Sequence, residues 1–333
     1  MHQWERKLST RDTNRTTLPF DWGFEFLAEH GVVASEERDP KSLLLNFNRE
    51  AIPQSASFFE AKPKRDFSIQ DGSFYFSSSV ESPYPQNNRV RCRIFRPAKR
   101  TDSAVVVLPQ WNANETSHVS LCKLLSRLGI TALRLTLPYH EERNPGGPRA
   151  DFMVSPNIGR TIQAIRQAVT DARNAVDWLQ EQGFGKIGIM GTSVGSCISF
   201  LAFVHDPRIR VGVFHHVSSF FGDVVWKGIS TQHVRKGIEP VLTREDLHDV
   251  WSVISPNSYV PMLQKLPKKH LMISARYDLT FPPDLSNLLF EELRRNNVPY
   301  DLSRLPCGHY TSALTPFKHR VGYLIARYFR KHL

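Results

Sequence analysis

The pentapeptide Gly191-Thr192-Ser193-Val194-Gly195 constrains this chain more than any other stretch. It follows residues 186–190 (KIGIM), an apolar run of strand type, and opens residues 194–204, an apolar run of helical type. A G-x-S-x-G sequence between a strand and a helix folds as a sharp turn that exposes the serine hydroxyl. The chain reverses within one residue there, so Ser193 is expected in a strained conformation. The flanking glycines remove side chains where strand and helix crowd each other. The hydroxyl then lies beside a helix N-terminus, whose partial positive charge favours an oxyanion. The competing reading is a glycine-rich βα turn with an incidental serine.

A serine hydroxyl is a poor nucleophile at neutral pH and needs an adjacent base. Where such a turn carries a nucleophile, the acid and then the base follow it in the chain. Residues 270–275 (HLMISA) read as a strand, and Asp278 follows it in the segment RYDLTFPP. Residues 300–305 read as the next strand, and CGHYTS places His309 directly after it. We therefore expect Ser193 as nucleophile, His309 as base and Asp278 as the acid that orients the base. Asp206 precedes its strand, at the wrong sheet edge, and Asp301 lies within a strand.

The surrounding pattern supports one α/β architecture. Residues 74–77, 89–95, 104–108, 130–135, 186–190 and 210–214 read as strands, with 119–128 and 158–179 as helices between them. In 158–179 the apolar residues Ile158, Ile162, Ile165, Val169, Ala172, Val176 and Leu179 draw one stripe along a helix. Strands alternating with helices imply a mainly parallel central sheet with helices on both faces. Residues 217–260 are too long for a simple crossover, so they read as a helical insertion after the sixth strand, over the ligand-binding edge of the sheet. We read 1–88 as an N-terminal extension with the first strands, packed on the core, and 89–333 as the catalytic domain.

An oxyanion would need two backbone N–H groups. One is expected from Val194. The other is expected from the loop after 104–108, with Trp111 the first choice and Gln110 the second, since Pro109 has no N–H.

Together, GTSVG, RYDLTFPP and CGHYTS in this order resemble the α/β-hydrolase superfamily over residues 89–333, on its esterase and dienelactone-hydrolase side. The loop 137–143 (LPYHEER) and the long helix after it are similar to abhydrolase-domain proteins. The resemblance implies hydrolysis of an ester, thioester or amide through an acyl-enzyme, with no metal or organic cofactor. It leaves open an acyltransferase or peptidase on the same triad, and a silent binding protein on the same fold.

Tyr139, His140 and Arg143 follow a strand end and are weighed as substrate-binding residues, against a salt-bridged loop beside Glu141 and Glu142. His140-Glu141 is not part of an HExxH pattern, so no metal site is expected. His215 and His216 end the 210–214 strand and read as structural. The aromatics Phe220, Phe221, Trp226 and Trp251 read as packing of the insertion.

The formal net charge is +11, yet no run of five basic residues exists. No nucleic-acid partner is expected, and the charge leaves a peripheral membrane contact and a lipid ester substrate open beside a small-molecule ester. The four cysteines form no CxxC pair, and MHQWERKLSTRDTNR has no apolar core of a secretory signal. The expected location is cytoplasmic.

Overall fold

A computed structural model describes residues 1–33, 38–64 and 66–333. Its strands are β1 (Ser68–Gln70), β2 (Ser73–Ser77), β3 (Arg89–Phe95), β4 (Ser103–Leu108), β5 (Thr131–Leu135), β6 (Lys186–Thr192), β7 (Ile209–His215), β8 (Lys269–Ala275) and β9 (Asp301–Leu305). They form one sheet in the order β1-β2-β3-β5-β4-β6-β7-β8-β9. Pairing is antiparallel from β1 to β5 and parallel from β5 to β9. Strand β1 was not expected, because Ser-Ile-Gln is fully exposed and carries no apolar alternation.

Alternate residues of the central strands feed two separate cores. Ala104, Val106 and Leu108 of β4 pack with the helices Ile158–Glu181 and Val194–His205. Val105 and Val107 point the other way, onto the helices Val119–Arg127 and Phe317–His332. This accounts for the all-apolar reading of that strand, which is buried on both faces.

The Ile158–Glu181 helix departs from the single-stripe expectation. Its polar face is buried as well, by the N-terminal segment. Gln167 Nε2 donates to Val80 O at 3.0 Å, and Asp171 Oδ1 accepts the Ser78 hydroxyl at 2.6 Å. Gln163 Nε2 donates to Phe26 O at 3.2 Å. Polar residues that find hydrogen-bond partners can be buried, so hydropathy alone does not reveal this face.

The helical insertion lies between β7 and β8, one strand later by count because β1 adds to the sheet. It contains the helices Phe221–Lys227, Gln232–Ile238 and Arg244–Val250. Trp251 is fully buried beneath them, and its indole donates to Ile158 O at 3.3 Å. Among the described residues, no helix is long and apolar enough to cross a membrane.

Candidate active site

Strand β6 delivers Ser193 to the sheet edge, and the next residue begins a helix. At Ser193 φ is 59° and ψ is −125°. A non-glycine residue held there stores about 1–3 kcal/mol of strain. Close packing keeps it in place: a Cβ on Gly191 would meet Gly195 O at 2.0 Å, and one on Gly195 would meet Pro109 O at 2.3 Å. The Ser193 N–H is also fixed, donating to His215 O at 2.9 Å.

Asp278 and His309 converge on this serine from the turns after β8 and β9. His309 Nε2 lies 3.0 Å from Ser193 Oγ, and His309 Nδ1 lies 3.0 Å from Asp278 Oδ2. With the Nδ1 proton on the Asp278 side, Nε2 is free to accept the serine proton. Asp278 is buried, and its Oδ1 accepts the N–H groups of Thr280 at 2.8 Å and Phe281 at 2.7 Å. Burial alone would raise the Asp278 carboxyl, but the His309 and His216 rings outweigh it and hold the group well below the usual carboxylate range. Phe281 stacks on His309, with ring centroids 5.3 Å apart.

Two contributors to this geometry escaped the sequence reading. His216 Nδ1 lies 2.8 Å from Asp278 Oδ2. Its Nε2 meets Ser312 Oγ at 2.9 Å, and that hydroxyl donates to the His309 carbonyl at 2.7 Å. His216 thus links the acid to the base loop from behind. A histidine at a strand end signals no such role. The second is Glu5, fully buried in the helix His2–Ser9. Its carboxylate accepts the N–H groups of Tyr310 at 3.0 Å and Thr311 at 2.8 Å. Gly308 makes room for it, since a Cβ there would lie 2.2 Å from Glu5 Cδ.

The Val194 N–H is the first of its helix and has no acceptor within it. The N–H groups of Gln110 and Trp111 donate no hydrogen bond among the described residues, whereas the Asn112 N–H donates to His140 Nε2 at 2.9 Å. The Trp111 indole is anchored to Ala150 O at 2.9 Å and stacks on His233.

The expectation that Tyr139, His140 and Arg143 bind substrate is corrected. All three are buried, and none lines the cavity at Ser193. Arg143 donates to Asn87 O and Thr136 O and pairs with Asp171 at 2.9 Å, so its fork is spent inside the protein. The Tyr139 N–H donates to Asn87 Oδ1 at 2.8 Å. His140 engages Pro138 O through Nδ1 at 2.8 Å and accepts the Asn112 N–H at Nε2. Burial pushes its pKa down to about 4, which keeps Nε2 an acceptor at neutral pH. Sequence places these residues at the correct sheet edge but cannot tell a lining residue from one packed beneath it.

Ser193 and His309 open onto a cavity of about 860 Å³. Phe221, Val224 and Val225 of the insertion form an apolar wall, whereas Trp251 only packs. His215 also lines the cavity, and burial pushes its pKa well down. His216, Asp278 and His309 hold donor atoms within 4.8 Å of one another. Both Nδ1 atoms face the same carboxylate oxygen, so the three engage each other rather than opening toward an ion.

No family model matches this sequence, and no curated protein matches it. Solved structures do. An acylaminoacyl peptidase of Pyrococcus horikoshii superimposes with a TM-score of 0.62 at 14% identity, covering 81% of this chain and 42% of that one. Acetyl xylan esterase 1 of Thermoanaerobacterium sp. JW/SL YS485 gives 0.59 at 16% identity, covering 85% of this chain and 93% of that one. A cold-adapted esterase from an Arctic intertidal metagenomic library gives 0.52 at 16% identity, covering 82% of this chain and 99% of that one. The chain thus spans about two-fifths of the peptidase and nearly the whole length of the esterases. The architecture is that of the α/β-hydrolases, a mostly parallel nine-stranded sheet with helices on both sides.

Proposed function

We propose that this protein is a serine hydrolase that cleaves a carboxylic ester through an acyl-enzyme on Ser193. The observation that carries the reading is the continuous contact from Ser193 Oγ through both nitrogens of His309 to a buried, ionised Asp278. Nε2 of His309 removes the serine proton as Oγ attacks the carbonyl carbon. Asp278 stabilises the imidazolium and holds its tautomer. The Val194 N–H, with that of Trp111 or Gln110, receives the oxyanion. The imidazolium then protonates the leaving alcohol, and water repeats the sequence to release the acid. The same steps serve a thioester or an amide. Ester cleavage is the class we favour, since the match extends over 93% of acetyl xylan esterase 1 and 99% of the Arctic esterase.

Labelling with a fluorophosphonate probe tests the reading, wild type beside Ser193→Ala, followed by p-nitrophenyl esters of increasing chain length. Label on the wild type alone, with ester turnover, is expected. A folded wild type that takes no label overturns it in favour of a binding protein.

A further inference from the structure

We propose that Arg15 and Arg149 form a carboxylate-binding subsite in the Ser193 cavity, selecting esters that carry a free carboxylate near the scissile group. The inference rests on Ser193 as the nucleophile for its catalytic meaning, though not for binding itself. Both arginines line the same cavity as Ser193 and His309. The Arg149 side chain is 5% exposed and that of Arg15 17%. Arg15 Nη2 contacts Tyr310 OH, the residue after the base, at 3.1 Å. Arg149 lies over the Trp111 ring of the oxyanion loop, 5.3 Å from its centroid. The two guanidinium groups lie close enough to share one carboxylate oxygen, that of Asp12.

Their shared partner is held loosely. Asp12 Oδ2 lies 3.3 Å from Arg15 Nη2 and 3.7 Å from Arg149 Nη1. A well-formed guanidinium–carboxylate contact is about 2.7–2.9 Å. Asp12 is also 47% exposed and sits in an irregular stretch between the first two helical segments, so it loses little on swinging out. Donors remain unspent on both forks. Arg15 Nε is buried without a partner. Arg149 commits Nε to Asp151 at 3.1 Å and Nη1 to Asn14 at 3.4 Å, leaving Nη2 unused among the described residues. Arg15, Arg149 and Lys318 line the cavity against a single acid, Asp12. Asp12 thus occupies, imperfectly, the place of a substrate carboxylate, and a planar fork recognises that group best.

The test compares 4-nitrophenyl hydrogen succinate with 4-nitrophenyl butyrate, and 4-acetoxybenzoate with 4-tolyl acetate. The pair that responds tells whether the carboxylate enters with the acyl or the leaving group. The readout is the anionic-to-neutral ratio of kcat/KM. It is expected to fall at least tenfold in Arg15→Gln and in Arg149→Gln, and to rise severalfold in Asp12→Asn. Opposite movements separate a ligand site from a structural ion pair, which would lower stability in all three variants and leave the ratios alone. In Ser193→Ala, monomethyl succinate is expected to raise Tm, and adding Arg149→Gln to abolish the rise. Unmoved ratios, or no Tm shift with monomethyl succinate, overturn the subsite. A retained shift in a protein that turns over no ester overturns only the hydrolase reading.

Discussion

The Glu5 carboxylate accepts the Thr311 N–H at 2.8 Å, two residues beyond His309, so the N-terminal helix helps to set the position of the His309 loop. It also accepts the Tyr310 N–H, and no other acceptor among the described residues takes either of these donors. Leaving buried donors unpaired costs about 1–3 kcal/mol each.

Glu5→Ala should therefore lower kcat about 10- to 100-fold on a p-nitrophenyl ester while KM changes little. Glu5→Gln keeps one acceptor oxygen and should lose less. Glu5 acts through the loop, so the apparent pKa of the kcat/KM profile should move in Glu5→Ala as the ring reorients. An unmoved profile with only a lower Tm would reduce Glu5 to a structural role.

Asp278 carries a heavier load. Asp278→Asn removes the negative partner of the imidazolium and invites the wrong tautomer. By analogy with serine proteases, kcat should fall about 10³- to 10⁴-fold, with Ser193→Ala at least as severe. His216 only backs the acid, so His216→Asn should cost about tenfold and shift the acid limb of the profile. An equal loss in both variants would show that His216 belongs to the reacting set.

His140 supplies a different test, because it holds the oxyanion loop without touching the cavity. His140→Phe frees the Asn112 N–H and lets the loop drift. A 1 Å misplacement of a donor is enough to cost about 10²-fold. We expect slower fluorophosphonate labelling and a kcat loss of about 10- to 100-fold, with His140→Gln restoring part of the rate. Labelling at wild-type speed in His140→Phe would contradict the assignment of this loop.

Residues 186–195 show why much of the site was legible in the sequence. An apolar run, two glycines around a serine and an apolar helix each record a packing demand that only this turn meets. Asp278 and His309 were readable because each lies within four residues of the end of a strand read from the sequence. Glu5 was not, since a carboxylate in the first helix reads as a solvated charge until the fold brings Gly308 against it. Arg143 was misread for a related reason. Its burial is made possible by Asp171, 28 residues away on a helix whose sequence shows a single apolar stripe. Polar residues that satisfy one another across long separations leave no periodic trace in the chain.

The buried histidines make acid stability the last expectation. Burial pushes His140, His205 and His270 down to about 4. In the unfolded chain they regain an ordinary value near 6.5. Between pH 6.5 and 4 the unfolded chain therefore takes up protons that the folded one excludes. Stability should be complete above pH 6.5 and fall as the pH drops toward 4, by up to about 4 kcal/mol per pH unit for three such groups. Over the whole window the three groups remove at most about 10 kcal/mol, a large share of a total stability of about 5–15 kcal/mol. Urea midpoints at pH 7.5, 6 and 5 measure the slope. His270 isolates one term, since neither ring nitrogen has a partner and the ring packs on Phe203. His270→Phe should keep or raise stability at pH 7.5, where no hydrogen bond is lost, and cut the acid slope by up to about 1.4 kcal/mol per pH unit. A slope unchanged in His270→Phe would mean that this ring is already protonated in the folded protein.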